Sequence, residues 1–393
     1  MNFVEEYIEY TQDAESPTSY FKWCAYTAIA AVLRDNSWIQ TNFAKIYPNL
    51  YTIIVSGKSS VTRKSIPMRG ILELIRHVEN TKIIQGYAST AGIFDVLLAQ
   101  RTNKYNAIIT GGSALLYSEE LTAFLYTDAA TIDTLTDWAD YHPHYSSSLR
   151  GIGHKEVEKV CVTLLATTND ENIQKIYGST QAQKGGLLAR TLLIREEHRR
   201  HIKGPFRPRV ATGNKEHLKR RLLEISRLNG PFTMEEKAMR EIDEWAESIT
   251  DDKVGITGVE GRIVTHAIKL SMIISASRGL DKRITKPYVL EAINDVNKLL
   301  KNYKIIVMGA GKSILAEPMQ AVISELYKQR GHNLSRRQIL QRLMGDMDLE
   351  TLNKVINTAE TAGHITTVQS GSDVKLQLTD VILKKIEENL VEN

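Results

Sequence analysis

Residues 50–76 constrain the chain more than any other stretch. Leu50–Val55 is an unbroken apolar run of strand type, a short polar loop follows, and an amphipathic helix begins after Lys64-Ser65. Such a strand–loop–helix gathers backbone N–H groups around an anion. A Lys beside a hydroxyl then adds positive charge and a metal-binding oxygen. The loop departs from the G-x-x-x-x-G-K-[ST] spacing: Gly57 to Lys64 is one residue longer, and Arg63 stands where a second Gly is usual. Pro67 falls just inside the helix start, where its missing N–H costs nothing. Alone, the stretch reads equally as a phosphate loop or as a plain strand–turn–helix.

At 393 residues the chain exceeds the ~250–300 at which a single core stops growing, so more than one domain is expected. With 42% hydrophobic and 24% charged residues it has the composition of a folded globular protein. The net charge of +4 confines any nucleic-acid surface to a local patch. Cys24 and Cys161 both lie in apolar stretches and read as buried thiols rather than a disulfide or metal site. No run approaches the ~18 apolar residues of a membrane span. The opening Met-Asn-Phe-Val-Glu-Glu lacks a signal-peptide pattern. A cytoplasmic protein, in the host cytoplasm if phage-encoded, is expected.

Residues 1–45 read as a helical segment, with Phe21, Ala25, Ile29 and Val32 on one face. Between 46 and 203, strand patterns at 50–56, 82–86, 107–109 with 113–118, 160–167 and 190–195 alternate with helix patterns, which argues for a mostly parallel sheet. Residues 203–214 read as a linker, and 204–312 as a helical domain with helices at 214–228, 233–249, 260–278 and 286–307. From 313 to 393 three helices and a hairpin follow, with Ser335 and Asp348 opening helices and Gly363 closing one. That succession is expected to be a winged helix.

A phosphate loop requires an acidic residue at the end of a neighbouring strand, to meet Mg²⁺ and polarise water. Ala114–Ser118 leads into Glu119 and Glu120. The same pattern also suits a strand before a helix with acidic first-turn residues. Val160–Ala166 ends in Thr167-Thr168-Asn169-Asp170, where Asn169 could position water or simply make a turn. Arg190, before the last strand, and Arg262, opening a helix, are candidates to touch transferred phosphate, or are surface arginines. The segment 141–155, with Arg150, His154 and Lys155, is read either as a hairpin that contacts single-stranded nucleic acid or as a solvated loop. Gly309-Ala310-Gly311-Lys312-Ser313 follows a long helix pattern and reads as a helix end and linker. His142, His144 and His154 lack the spacing of a metal site. Arg195–Arg221 is the most basic stretch, whereas the third helix of the last domain is not basic.

With these residues in place, the chain resembles the helicase-like P-loop ATPases of phages and mobile elements, often found beside primase–polymerase modules. The match rests on Tyr47–Tyr51, Ser59–Ser65, Tyr117-Ser118-Glu119, Leu165–Asn169 and Gly185–Arg190, over roughly residues 15–200. The order of parts is also similar to minichromosome-maintenance-type AAA+ helicases. The resemblance implies an AAA+-like parallel sheet with a helical lid and a C-terminal winged helix. It implies ATP and Mg²⁺ held by Gly57, Ser60, Thr62, Arg63, Lys64 and Ser65, with Ser65 and Glu119 towards the metal. Glu119, with Glu120 beside it, would serve hydrolysis, Asn169 the first sensor, Arg190 the arginine finger and Arg262 the second sensor. A hexameric ring acting on single-stranded or forked DNA in replication is expected, with a primase or polymerase as possible partner. A nucleotide-switched initiator or loader that does not translocate is the alternative.

Overall fold

Two of the inner strands of the central sheet are buried at every position, whereas one edge strand is buried only at alternate positions. Tyr51–Ser56 (β1) is buried at every position, Lys82–Gln85 (β2) only at alternate ones, and Ser113–Ser118 (β3) again at every position. With Gly153–Asn169 (β4) and Thr191–Glu196 (β5) they form one parallel sheet in the order β5-β1-β4-β3-β2. Parallel neighbours require crossovers that cover the faces, so the inner strands are apolar on both sides. The computed structural model describes residues 1–57, 61–79, 81–86, 90–98, 101–102, 108–109, 111–122, 129–149, 153–178, 186–201, 213–249, 259–310, 316–329, 331, 333–343, 347–370 and 373–384. The architecture is α/β with a mostly parallel central sheet, compatible with a Rossmann- or P-loop-like fold.

Register decides what meets at the carboxyl edge. Ser56 lies beside Asn169 on one side and Glu196 on the other. β3 stops earlier, with Ser118 beside Ala166. The chain after Ser118 then runs along β4, with Leu121 N–H donating to the Thr167 carbonyl at 2.8 Å.

Helix Thr18–Leu33 (α1) buries thirteen of its sixteen residues, so it is a core helix rather than a one-faced surface helix. The single face read from the sequence is therefore too narrow. α1 is packed between Phe3–Tyr10, helix Ser65–Ile75 (α2), Lys215–Ser226 and the sheet. The Thr27 hydroxyl ties it to Thr52 of β1 at 2.7 Å.

The stretch after 214 contains more than helices. Gly230–Met234 pairs in parallel with Ser37–Gln40 and with Arg283–Ile284, and Lys45–Ile46 completes a four-stranded sheet. Pro231 disfavours helix there, and Phe232 is buried. Helices Lys215–Ser226, Glu236–Glu247, Ile263–Arg278 (α3) and Lys286–Ala310 share one hydrophobic cluster with the central sheet. Residues 1–310 thus form one compact unit that includes the segment expected as a lid. Within that segment, 204–212, 250–258 and 311–312 lie outside the described residues. Gly309 and Ala310 end the long helix Lys286–Ala310, and Gly311–Ser313 lie outside the described residues.

The second unit, 311–393, has its own core around Val322, Leu326, Ile339, Leu352, Val355 and Leu376. Helices Ala316–Tyr327, Arg336–Arg342 and Leu349–Thr361 pack on an antiparallel sheet in the order Asn333–Ser335, Asp373–Leu378, Ile365–Ser370. Its local signals match those read from the sequence. Ser335 and Gln338 form a capping box, and Asp348 caps through Thr351 N–H at 2.8 Å. Gly363 adopts φ 71° while His364 N–H returns to the Ala359 carbonyl, the pattern of a Schellman stop. Among the described residues no helix is long and apolar enough to cross a membrane.

Candidate functional site

The carboxyl edge of the sheet assembles most of the residues singled out above. Lys64 precedes α2, and its ammonium donates to the Thr168 carbonyl at 2.8 Å. Burial lowers its pKa, against an opposing pull from Glu120. The neighbouring Thr167 hydroxyl donates to the Glu119 carbonyl. Two consecutive residues of β4 therefore bring the loop lysine and the acidic pair together. Asn169 accepts from Asn172 N–H at 2.8 Å, which caps the helix Asp170–Gly178. Glu120 accepts from Thr122 at 3.1 Å and from Asn172 at 3.4 Å, while Ser118 donates to the Glu120 carbonyl at 2.7 Å.

Glu119 has a partner that sequence reasoning missed. Arg69, one turn into α2, grips its carboxylate with two hydrogen bonds, Nε to Oε1 at 2.8 Å and Nη2 to Oε2 at 2.6 Å. The Arg69 hydrogen bonds hold the Glu119 carboxyl below its ordinary range against the opposing effect of burial, and hydroxyls of Tyr117 and Ser65 add to them. Ser65 and Glu119 therefore meet across the start of α2. One hydroxyl and one carboxylate suit a Mg²⁺ that keeps its remaining ligands from phosphate and water. Among the described residues no cluster of three or more His, Cys, Asp or Glu could hold a metal by itself.

Arg63 explains the missing glycine. Its φ of 53° is the left-handed conformation a second Gly would adopt without strain. The Ser16 hydroxyl donates to its carbonyl at 2.8 Å, and Glu15 lies 3.3 Å from its guanidinium, so the chain before α1 holds the turn. Thr62 is buried against the Tyr20 hydroxyl at 3.3 Å, and that hydroxyl also bonds the Val55 carbonyl at 2.6 Å. Its hydroxyl therefore serves the loop's foundation.

Gly57 meets a second feature the sequence did not reveal. A Cβ there would sit 3.1 Å from Arg195 Nη2. Arg195, mostly buried, is bound by both oxygens of Asp170 at 2.8–3.1 Å and by Glu197 at 2.8 Å. This ion pair crosses from β5 over β1 to the end of β4, beneath the loop. A charged pair at a strand end carries no sequence pattern of its own, so only spatial proximity identifies it.

Arg190 and Arg262 lie elsewhere. Arg190 precedes β5 at the amino edge of the sheet, and six-residue strands separate the two edges by about 17 Å. There both arginines converge on Asp140. Arg262 Nη1 donates to its two oxygens at 2.9 and 2.8 Å, and Arg190 Nε lies 3.5 Å away. Behind them, buried Lys269 donates to the carbonyls of Asn49 and Ala139 and to the Asn49 side chain, at 3.0–3.1 Å. Burial brings the Lys269 pKa down to about 8, with Asp140 opposing. Burial would raise the Asp140 carboxyl, but Lys269, Arg262 and Arg190 together hold it below its ordinary value. His266 faces the Ala189 carbonyl at 2.9 Å, and its pKa is brought down to about 4 by burial.

His142–Leu149 pairs antiparallel with the first half of β4, and residues 150–152 lie outside the described residues. His154 lies opposite Ser148 and Lys155 opposite Ser147 on its backbone. Arg150 and Ser60 lie outside the described residues. No protein-family model matches the chain, and no curated protein matches it with significant similarity.

Proposed function

We propose that the protein is an AAA+-like P-loop ATPase that works as a hexameric ring and moves on or remodels DNA during replication of a phage or mobile element. One observation carries the reading. Lys64, Ser65, Glu119 and Asn169 gather at one edge of the sheet, while Arg190 and Arg262 pair at the other, beyond reach of their own loop. Copies packed head to tail would bring the two edges together, and a heterologous contact of that kind forms a ring when its rotation closes. In this reading Lys64 binds the β- and γ-phosphates, and Glu119 orients water and takes its proton. Asn169 stands beside the attacking position, and the next copy's arginines offset developing charge. Mg²⁺ would neutralise phosphate charge, held through Ser65 and Glu119. The segment 141–155 would touch DNA, and the 313–393 unit is read as a winged helix for a protein partner such as a primase or polymerase.

The Arg69 grip on Glu119, with Ser118 in place of an Asp, favours one second reading: a nucleotide-switched initiator or loader that does not translocate. Lys64→Ala and Glu119→Gln should each lower DNA-stimulated ATP turnover by at least about 100-fold. Unchanged turnover in both would remove the assignment. Strand displacement on forked DNA by the unaltered protein separates a motor from a switch.

A further inference from the structure

Asp140 has no sequence motif to recommend it, yet two of the candidate phosphate-binding arginines end on its carboxylate. Arg262 uses a single nitrogen, Nη1, to reach both oxygens, at 2.9 and 2.8 Å. Arg190 spends Nη1 on the Gly186 carbonyl at 3.1 Å, and its Nε makes no hydrogen bond at 3.5 Å from Asp140. Each guanidinium carries five N–H donors in a planar fork, so Asp140 engages only part of either one. All three side chains reach the surface, with 21% of Arg190, 33% of Arg262 and 42% of Asp140 exposed.

The floor beneath them is rigid. Lys269 pins the Ala139 carbonyl, next to Asp140 in the chain, and both oxygens of Asn49, just ahead of β1. His266 is buried beside it, with Nδ1 making no hydrogen bond, and the intervening cavity of about 10 Å³ is roughly the size of one water. Asp140, whose neighbouring Ala139 carbonyl is pinned by a buried ammonium, thus meets two partly exposed guanidiniums from one side. Carboxylate and phosphate are bound by the same planar fork, so what remains of each fork suits phosphate oxygens.

We infer that Asp140 is a positioning residue that aims Arg190 and Arg262 together at a phosphate presented by a second copy of this chain. The inference rests on the ring-ATPase reading and adds to it the residue that links the two arginines. Removing the carboxylate leaves the residue's own phosphate loop intact, so the damage should fall on the neighbouring copy's site.

The experiment measures ATP turnover by Asp140→Asn, Asp140→Glu, Arg190→Ala, Arg262→Ala and Lys64→Ala, each alone, and by equimolar mixtures with Lys64→Ala. Asp140→Asn should lower turnover at saturating ATP about tenfold or more with little change in KM, and Asp140→Glu should recover part of it. Lys64→Ala, inactive by itself, keeps its arginines. Mixed with Asp140→Asn it should restore function to about a quarter of the sites, the share in which an intact loop faces an intact arginine pair. A protein damaged only in folding cannot be rescued this way, because the rescued site uses the Asp140→Asn subunit's own loop. Turnover by Asp140→Asn within twofold of the unaltered protein, while Arg190→Ala and Arg262→Ala lose activity, would overturn the inference and leave the ring reading intact. So would a loss that mixing does not rescue, provided Arg190→Ala is rescued. Turnover indifferent to Lys64→Ala would remove the ring reading and this inference with it.

Discussion

The two edges of the central sheet hold similar charged groups in different physical states. At the carboxyl edge the Arg69–Glu119 pair is open to solvent, with 71% of Arg69 and 31% of Glu119 exposed. Water screens such a pair, and it can be exchanged for another partner at little cost. At the amino edge Lys269 and His266 are almost wholly buried, and their hydrogen bonds replace water that cannot reach them. Breaking one partner there strands the others. Groups that can exchange partners therefore lie at the first edge. Groups that must present a fixed shape belong at the second.

Lys269→Ala is the substitution that should break this contrast most severely. It removes the donor to three acceptors and leaves the carbonyls of Asn49 and Ala139 without it, costing about 3 kcal/mol of stability. Urea denaturation would show this as a lower midpoint with an unchanged slope. A midpoint equal to that of the unaltered protein would mean the amino edge is as adaptable as the carboxyl edge.

The next largest effect is an acid sensitivity confined to the amino edge. His266 has a folded pKa of about 4 against an ordinary 6.5. Between those values the unfolded chain takes up a proton that the folded one refuses, because burial, and after it the charges of Lys269 and Arg262, disfavour the cation. Stability therefore falls as pH drops from about 6.5 to about 4 and stops falling on this account below that, by roughly 1–3 kcal/mol in all. Asp140, whose folded pKa is depressed, loses its stabilising contribution in the same direction at lower pH still. His266→Gln should flatten the slope of stability against pH over that window, as followed by thermal melts. An unaltered slope would assign the acid response to other groups.

Arg69→Ala should produce the smallest change. The pair is exposed, so the denaturation midpoint should stay where it is. Without the guanidinium, the Glu119 carboxyl should titrate at higher pH, and the acidic limb of the turnover profile should move upward with it. A profile that does not move would separate Glu119 from the titrating group.

Much of the scaffold was legible from local signals. β1 and β3 are unbroken apolar runs, and the caps at Ser335, Asp348 and Gly363 mark their helices, because each depends on residues a few positions apart. Lys64, Glu119 and Asn169 were legible as residues that end or follow strands. The four-stranded sheet was not, since Ser37 pairs with Gly230 across more than half of the first unit and its strands are too short to show a period. Arg69, Asp140, Arg195 and Lys269 were missed for a related reason. A lone charged residue on a helix or turn carries no pattern, and its meaning depends on which distant carboxylate or carbonyl it meets.

The sequence by itself determined which segments become strands and helices and where helices stop, because these follow from neighbours along the chain. Tertiary structure alone decided that Arg63 takes the glycine-like turn under the hold of Ser16, that Arg69 grips Glu119, and that Arg190 and Arg262 meet at Asp140, at the other edge of the sheet from their own loop. Charges and hydrogen bonds act over a few ångströms of space regardless of separation in sequence, and only the folded sheet sets those distances.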